Sequence, residues 1–203
     1  MQQRSRIYAA ALIVVGLTIA ATCALTFPAV EGLGTKVRLP VFHGAMTWVN
    51  LAAFSVMGLL GVLYLVTRRE AVYRWETAVR WIAVPVWLTG SVLGLLAALN
   101  TWDFTGSKAS PMTVAAADPR LAAQGWILLA ALALVALELV LDSQRLRSIA
   151  DIGFVAFLWI VLLRAVLGPG RALHPDSPVL NSDEIGIKLL FFGIVIGLGM
   201  AFS

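Results

Sequence analysis

Long apolar runs alternate with short polar segments along this chain. Six runs stand out, and they cover residues 7–27, 42–66, 81–99, 121–141, 152–167 and 185–202. A helix needs roughly 20 consecutive apolar residues to cross the hydrocarbon core of a bilayer. A cleaved signal peptide is the alternative for the first run, which is long for the apolar part of such a peptide. The pattern predicts a single domain, residues 1–203, in which six transmembrane helices form a bundle.

The composition agrees with this reading. Hydrophobic residues make up 60% of the chain and charged residues 13%, and the mean hydropathy is +0.90. A soluble domain carries about 25% charged residues. These values predict an all-α integral membrane protein with several spans and membrane lipid as its surroundings. The net charge of +4 fits arginines beside lipid headgroups, so no nucleic-acid partner is predicted. No phosphate-binding loop, zinc-protease or serine-hydrolase motif occurs.

The distribution of basic residues predicts the orientation. With the N-terminus inside, the inner segments contain eight basic residues: Arg4, Arg6, Arg68, Arg69, Arg74, Arg80, Arg145 and Arg147. The outer loops contain five: Lys36, Arg38, Lys108, Arg120 and Arg171. Arg164 and Lys188, at the outer ends of their spans, raise the second number to seven. The positive-inside rule therefore predicts two cytoplasmic termini in the cell (inner) membrane.

The chain has only two histidines, and this topology places both near the outer surface. His43 begins the second span, and His174 lies in the loop that precedes the sixth. Imidazole is a common ligand of haem iron and of other transition metals. Each histidine alone would be read as a polar interfacial residue, whereas the pair on one side predicts two ligands of one metal. Since Cys23 is the only cysteine and the C-x-x-C-H motif is absent, a haem here would be a non-covalent haem b.

Four short motifs occur along the chain in a fixed order relative to the predicted spans. Phe42-His43 is followed by Trp48-Val49, Thr89-Gly90-Ser91 lies in the third span, and Asp118-Pro119-Arg120-Leu121 precedes the fourth. Leu173-His174-Pro175-Asp176 lies in the last outer loop. In this order and topology the motifs resemble the haem-handling family of cytochrome c biogenesis, the CcmC/CcsA type, over nearly the whole chain. The resemblance implies six spans, a haem between the two histidines, and a haem chaperone or transporter as partner.

The chain departs from that family between the third and fourth spans. The family carries a tryptophan-rich outer motif, roughly W-G-x-W-W-x-W-D, which is thought to hold haem and meet the receiving chaperone. In this sequence Trp102, Asp103 and Phe104 alone retain its character, and a polar stretch follows. The sequence therefore supports haem binding better than haem delivery.

Three further side chains are candidates for contact with a haem. Arg120 is a candidate partner of the haem propionates, because a guanidinium pairs well with carboxylates and the resemblance supports this position. Trp48 and Trp102 are candidates to pack on the porphyrin edge. The alternative for the arginine is a side chain that reaches the lipid headgroups, and for the tryptophans it is the aromatic belt of the membrane interface, which is preferred for Trp126.

Two classes of function remain open. The first is a haem-binding component of cytochrome c maturation that presents haem at the outer surface. The second is a b-type cytochrome subunit of a respiratory complex that passes electrons between an extracytoplasmic redox subunit and quinone. Both describe a haem-handling or electron-transfer subunit in a membrane complex rather than a stand-alone enzyme. A membrane anchor without a cofactor is a third, weaker interpretation.

The remaining signals concern packing. Glu138 is predicted to pair with an inner arginine, although a proton-relay role is possible for an acid within a span. Three glycine pairs are predicted to allow helices to approach closely: Gly58 with Gly61, Gly90 with Gly94, and Gly193 with Gly197.

Overall fold

The computed structural model describes residues 2–168, 179 and 181–202, and most of these residues are helical. The helices are α1 (Gln2–Thr26), α2 (Arg38–Thr67), α3 (Glu70–Thr101), the short α4 (Pro111–Ala116), α5 (Pro119–Val140), α6 (Gln144–Leu167) and α7 (Ile185–Ala201). Each of the six predicted spans falls largely on one of the helices other than α4. The all-helical prediction is therefore confirmed for the described part of the chain.

Five of the described helices are long and apolar enough to cross a membrane. They correspond to α1, α2, α3, α5 and α6. The helix α7 is also apolar but has 17 residues, and at 1.5 Å per residue it is about 25 Å long, against a hydrocarbon core of about 30 Å. These helices indicate a membrane protein, in agreement with the composition.

Helix α2 lies at the centre of the bundle and contacts α3, α6 and α7. Helix α5 packs on α6 and α3, while α1 packs mainly on α7. Two apolar cores result. One lies among α1, α2 and α7 around Phe27, Ala45 and Ile194. The other lies among α2, α3, α5 and α6 around Phe54 and Ile127.

Close helix contacts occur at most of the glycines predicted to allow them. A Cβ added to Gly197 would lie 2.6 Å from the backbone oxygen of Gly16, and one added to Gly193 would lie 2.6 Å from the Sγ of Cys23. The tight packing of α7 on α1 therefore depends on residues without side chains. Gly58 is similarly close to Val155 of α6, at 3.1 Å. At Gly90 the nearest atom is 3.9 Å away, so this position is not tightly packed.

The segment between α3 and α5 is more ordered than the predicted polar loop. Its helix α4 begins after Ser110, whose Oγ accepts a hydrogen bond from the backbone N–H of Thr113 at 3.2 Å. Asp118 caps α5 in the same way and accepts from the N–H of Arg120 at 2.9 Å. Proline at the first position of both helices supports these starts, because it needs no hydrogen-bond partner there. α4 contacts α3 and α5 and so covers one end of the bundle.

The segment from Thr67 to Arg80, counted in the sequence as an inner segment between two spans, is helical over most of its length. Only a short turn at Arg68 and Arg69 separates α2 from α3, and Arg68 has a left-handed backbone with a φ of 55°. Helix α3 begins at Glu70, so Arg80 lies ten residues, or nearly three turns, along this helix. Its side chain is 0% exposed. The charge of Arg80 is balanced by carboxylates on α5 and α6.

Candidate functional site

His43 projects into the bundle near the end where α2 and α5 begin and α3 ends, which we call the His43 end. A Cβ built on Gly94 of α3 would lie 2.6 Å from the Cε1 of His43 and 2.9 Å from its Nε2. The same Cβ would lie 3.0 Å from the Oε1 of Gln124 on α5. The imidazole therefore lies against the backbone of α3 with Gln124 nearby, in space that exists because residue 94 is glycine.

Arg120 belongs to the same side of α5 as Gln124. The two residues are four apart, so they lie one above the other on one helix face. Arg120 is at the first turn of α5, on the N-terminal side of Gln124, and its side chain is partly buried. The structure thus places Arg120 at the His43 end, and its role toward a haem stays a prediction.

Trp48 does not share the side of α2 that carries His43. Five residues at about 100° each separate the two side chains by about 140° around the helix. Trp48 instead contacts Phe191 and Phe192 of α7, with ring centroids 6.0 and 6.4 Å apart, and is 47% exposed. The prediction that it lies beside the same cofactor as His43 is not supported by this arrangement. Its surroundings match an interfacial aromatic residue.

Trp102 follows the last residue of α3 and lies at the His43 end. Its ring is 6.4 Å from that of Phe104, centroid to centroid, and it is partly buried. The next residue, Asp103, accepts hydrogen bonds from the hydroxyl and the N–H of Thr105 at 2.6 and 2.9 Å. These bonds lower the pKa of Asp103. Trp126 is 61% exposed, in agreement with its predicted place in the aromatic belt.

Two polar residues near His43 were not singled out by the sequence. Besides Gln124, Asn50 is 2% exposed and lies seven residues after His43, on nearly the same face of α2. Within the described residues the Oδ1 of Asn50 and the Nε2 of Gln124 have no hydrogen-bond partner. Their spacing in the sequence could have indicated that they share a helix face with the predicted site residues. Asn50 follows His43 by two helical turns, and Gln124 follows Arg120 by one.

The described residues at the His43 end include side-chain types that are able to bind a haem. Histidine is a usual axial ligand, a guanidinium pairs with propionates, and Trp102 adds an aromatic surface. In the described orientation the Nε2 of His43 faces the backbone at Gly94. Coordination through Nε2 therefore requires the ring to turn toward the open end of the bundle. His174, the other predicted ligand, and Arg171 lie outside the described residues. In the described ranges 2–168 and 181–202 no three His, Cys, Asp or Glu side chains form a group that could hold a metal ion.

A second polar group, which we call the Arg80 cluster, lies at the opposite end of the bundle. It consists of Arg80 and Glu76 on α3, Glu138 on α5, and Ser148 and Asp151 on α6. The Nε of Arg80 donates to Asp151 Oδ1 at 2.8 Å, and its Nη2 contacts Oδ2 of the same carboxylate. The Nη1 of Arg80 is 2.5 Å from Glu138 Oε2. The prediction that Glu138 pairs with an arginine is confirmed.

The Arg80 cluster was largely missed because its members are far apart in sequence. Asp151 and Glu76 are both 0% exposed, yet each stands at the start of an apolar run where a charge suggests the membrane surface. The available signal was their helical position: Glu76 precedes Arg80 by one turn, and Ser148 precedes Asp151 by nearly one turn. Such spacing gives each helix a polar face, but only tertiary packing directs the two faces toward each other.

A comparison with known proteins found no matching family, no matching curated protein and no matching solved structure.

Proposed function

We propose that this protein binds one haem b non-covalently at the His43 end, with His43 and His174 as the two axial ligands. The observation that carries the proposal is the placement of the His43 imidazole, which points into the bundle between α3 and α5 and not toward lipid. A polar ring inside a membrane bundle is costly unless it has a structural partner or a function. The short motifs that resemble the haem-handling family support the same assignment.

Each residue of the proposed site would have a different role in binding the haem. His43 is the ligand from α2, and Arg120 at the start of α5 offsets the negative charge of the propionates. Trp102 offers an aromatic surface at the end of α3, while Trp48, on the α7 side of α2, has no part in the site. Two neutral imidazoles would give the haem a low-spin iron that changes redox state with little movement of its ligands.

Two uses of this haem follow from the resemblance and from the composition of the loop. In the first, the protein hands haem to a chaperone during cytochrome c maturation. In the second, it keeps its haem as a b-type cytochrome subunit and passes electrons between an extracytoplasmic redox partner and quinone. The packing of α4 on α3 and α5 favours the second use. A folded cover lies where the resembled family has an exposed aromatic platform, and Ala115 within it is 0% exposed.

Absorbance spectra of the purified protein, oxidised and reduced, test the haem. We expect a low-spin bis-histidine spectrum that is abolished or converted by His43→Ala and by His174→Ala. Arg120→Ala is expected to shift the midpoint potential or weaken haem retention. Arg164→Ala, on an exposed basic residue at the same end of the bundle, is the matched control and should leave both unchanged. An unchanged low-spin haem in the double histidine variant would place the ligands elsewhere.

Haem retention separates the two uses. The loaded protein is mixed with an excess of apomyoglobin, which captures any haem that is released. A resident cofactor stays with the membrane protein over hours, whereas a haem in transit is transferred. Rapid transfer would favour the maturation role over the cytochrome role.

We further propose that the protein spans the cell (inner) membrane six times, with both termini cytoplasmic and the His43 end outside. The arginine distribution and the alternating direction of the helices support this orientation. Single cysteines are introduced as Ser107→Cys and Ser143→Cys after the native Cys23 is replaced by serine. A thiol reagent that does not cross the membrane should label position 107 from outside and position 143 only after the cells are opened. Reversed labelling would put His43 on the cytoplasmic side.

A further inference from the structure

The Arg80 cluster contains more buried acid than base. Glu76, Glu138 and Asp151 contribute three carboxyl groups, and all three are at least nine-tenths buried. Arg80 is the one fully buried base among the described members of the cluster. Arg147 adds a second guanidinium at the rim, 3.9 Å from the Oε2 of Glu138. If every group were ionised, one negative charge would remain without a partner.

An uncompensated charge at this position would be expensive. Removing an ion from water costs several kcal/mol even after the protein relaxes, and it is tolerated only where the charges are paired. A single proton on one of the three carboxylates removes the imbalance. The charge count therefore points to a protonated acid within the cluster.

The contacts of the three acids with Arg80 differ. Both oxygens of Asp151 face the guanidinium of Arg80, and Glu138 also contacts it, so both are held as carboxylates. Glu76 has no guanidinium contact of this kind. One of its oxygens accepts from the hydroxyl of Ser148 at 2.8 Å, and the other, Oε1, is buried and has no hydrogen-bond partner among the described residues. Asp151 follows Ser148 by nearly one turn on the same face of α6, so its carboxylate lies on the side of α6 that meets Glu76. Two neighbouring buried carboxyl groups are stable when they share one proton.

We propose that Glu76 and Asp151 form a proton-binding site in which Glu76 is the protonated acid and Asp151 accepts its hydrogen bond. Together with Arg147 at the rim, the proton makes the Arg80 cluster electrically neutral and completes the junction between α3, α5 and α6. This site is independent of the proposed haem, because it lies at the opposite end of the bundle and uses none of the same residues.

The surroundings of the site make the junction sensitive to rising pH. The charged groups around it are Arg80 on α3, Glu138 on α5 and Arg147 on α6, and Tyr73 contacts Arg147 while Tyr64 of α2 packs on Tyr73. The hydroxyl of Tyr73 accepts from Arg147 at 3.4 Å. A Cβ on Gly61 would lie 3.0 Å from Glu76 Oε1. Arg80 and Arg147 are already paired with carboxylates, and the other groups carry no positive charge. Loss of the proton therefore leaves an unbalanced negative charge where the helices meet.

Infrared spectroscopy of the full chain in lipid tests the proposal. Ordinary Asp and Glu side chains titrate near pH 4, so a protonated-carboxyl C=O band at pH 7 reports an acid of this kind. We expect the band in the wild type and its loss in Glu76→Gln. Glu70→Gln is the matched control: Glu70 is an exposed acid on the same helix that accepts from Gln144 at 3.2 Å, and its replacement should leave the band in place.

Thermal unfolding gives a second readout. The amide of Glu76→Gln can donate to Asp151 as the proton does. Because an unfolded glutamate titrates near pH 4, a proton retained by folded Glu76 makes the wild type lose stability as the pH rises above about 5. We therefore expect the melting temperature of the wild type to fall between about pH 5 and pH 8, and that of Glu76→Gln to change less. Absence of the band from the wild-type spectrum would overturn the proposal without any variant. A band that persists in Glu76→Gln and disappears in Glu138→Gln would also overturn it, because the proton would then belong to Glu138.

Discussion

The contact between His43 and Gly94 gives a sharp prediction for the substitution Gly94→Ala. The new methyl group would lie 2.6 Å from Cε1 and 2.9 Å from Nε2 of the imidazole. Non-bonded carbon atoms prefer about 3.5–4.0 Å, so the ring must retreat by about 1 Å. The backbone of α3 is held by its own hydrogen bonds, and the displacement falls mainly on His43 and Gln124.

The size of the effect can be estimated by comparison with Gly90→Ala. Both substitutions gain about 0.5–1 kcal/mol from the lower conformational entropy of alanine in the unfolded chain. At Gly90 the added Cβ meets only the Cε of Met46 at 3.9 Å, which is ordinary contact. At Gly94 the overpacking costs about 1–3 kcal/mol. We therefore expect Gly94→Ala to be less stable than Gly90→Ala by about 1–3 kcal/mol.

Unfolding of the purified protein in mild detergent, by heat or by a denaturing detergent, measures this difference. A double-mutant cycle with His43→Ala assigns its cause. In the His43→Ala background the two closest contacts of the methyl group at residue 94 are gone and only Gln124 Oε1, at 3.0 Å, remains. Most of the penalty should therefore disappear, and the two substitutions should be non-additive by about 1–3 kcal/mol. If Gly94→Ala is as stable as Gly90→Ala in both backgrounds, the imidazole does not lie against α3 and the described site is wrong.

Two other predictions concern the opposite end of the bundle and the loop. Arg80→Met should destabilise the protein by about 3–5 kcal/mol, because it leaves buried carboxylates unpaired. Arg74→Met, on an exposed arginine six residues earlier, is the control and should change stability little. Equal losses in the two variants would contradict the buried ion pairs. The loop between α3 and α5 is predicted to dock a partner protein, because its small polar residues pack poorly on porphyrin. Deleting Lys108 to Thr113 removes the N-cap of α4 and most of the polar stretch, so it should weaken co-purification of a partner protein while haem content stays largely intact. Loss of haem with the partner retained would refute this docking role.

Local sequence determined where the helices form. The apolar runs are long enough to satisfy their own backbone hydrogen bonds in a bilayer, and this requirement acts within each run. Caps are equally local, since Asp118-Pro119 starts α5 by accepting two N–H groups of its first turn. Gly193 and Gly197 of α7 predicted a close helix contact from their spacing alone, although the spacing does not identify α1 as the partner. For this reason the predicted spans agree with the described helices within a few residues at most ends.

Only the tertiary structure decided which face of each helix points inward and what meets there. His43 and Trp48 are both near the start of α2, but the rotation of the helix sends one toward α3 and the other toward α7. The burial of Arg80 depends on carboxylates 58 and 71 positions further along the chain, on α5 and α6. A charge beside an apolar run looks like a surface residue in sequence, because the sequence does not show that distant helices supply its counter-charges. The polar sites of this protein arise from such non-local pairing, and its helices from local hydrophobicity.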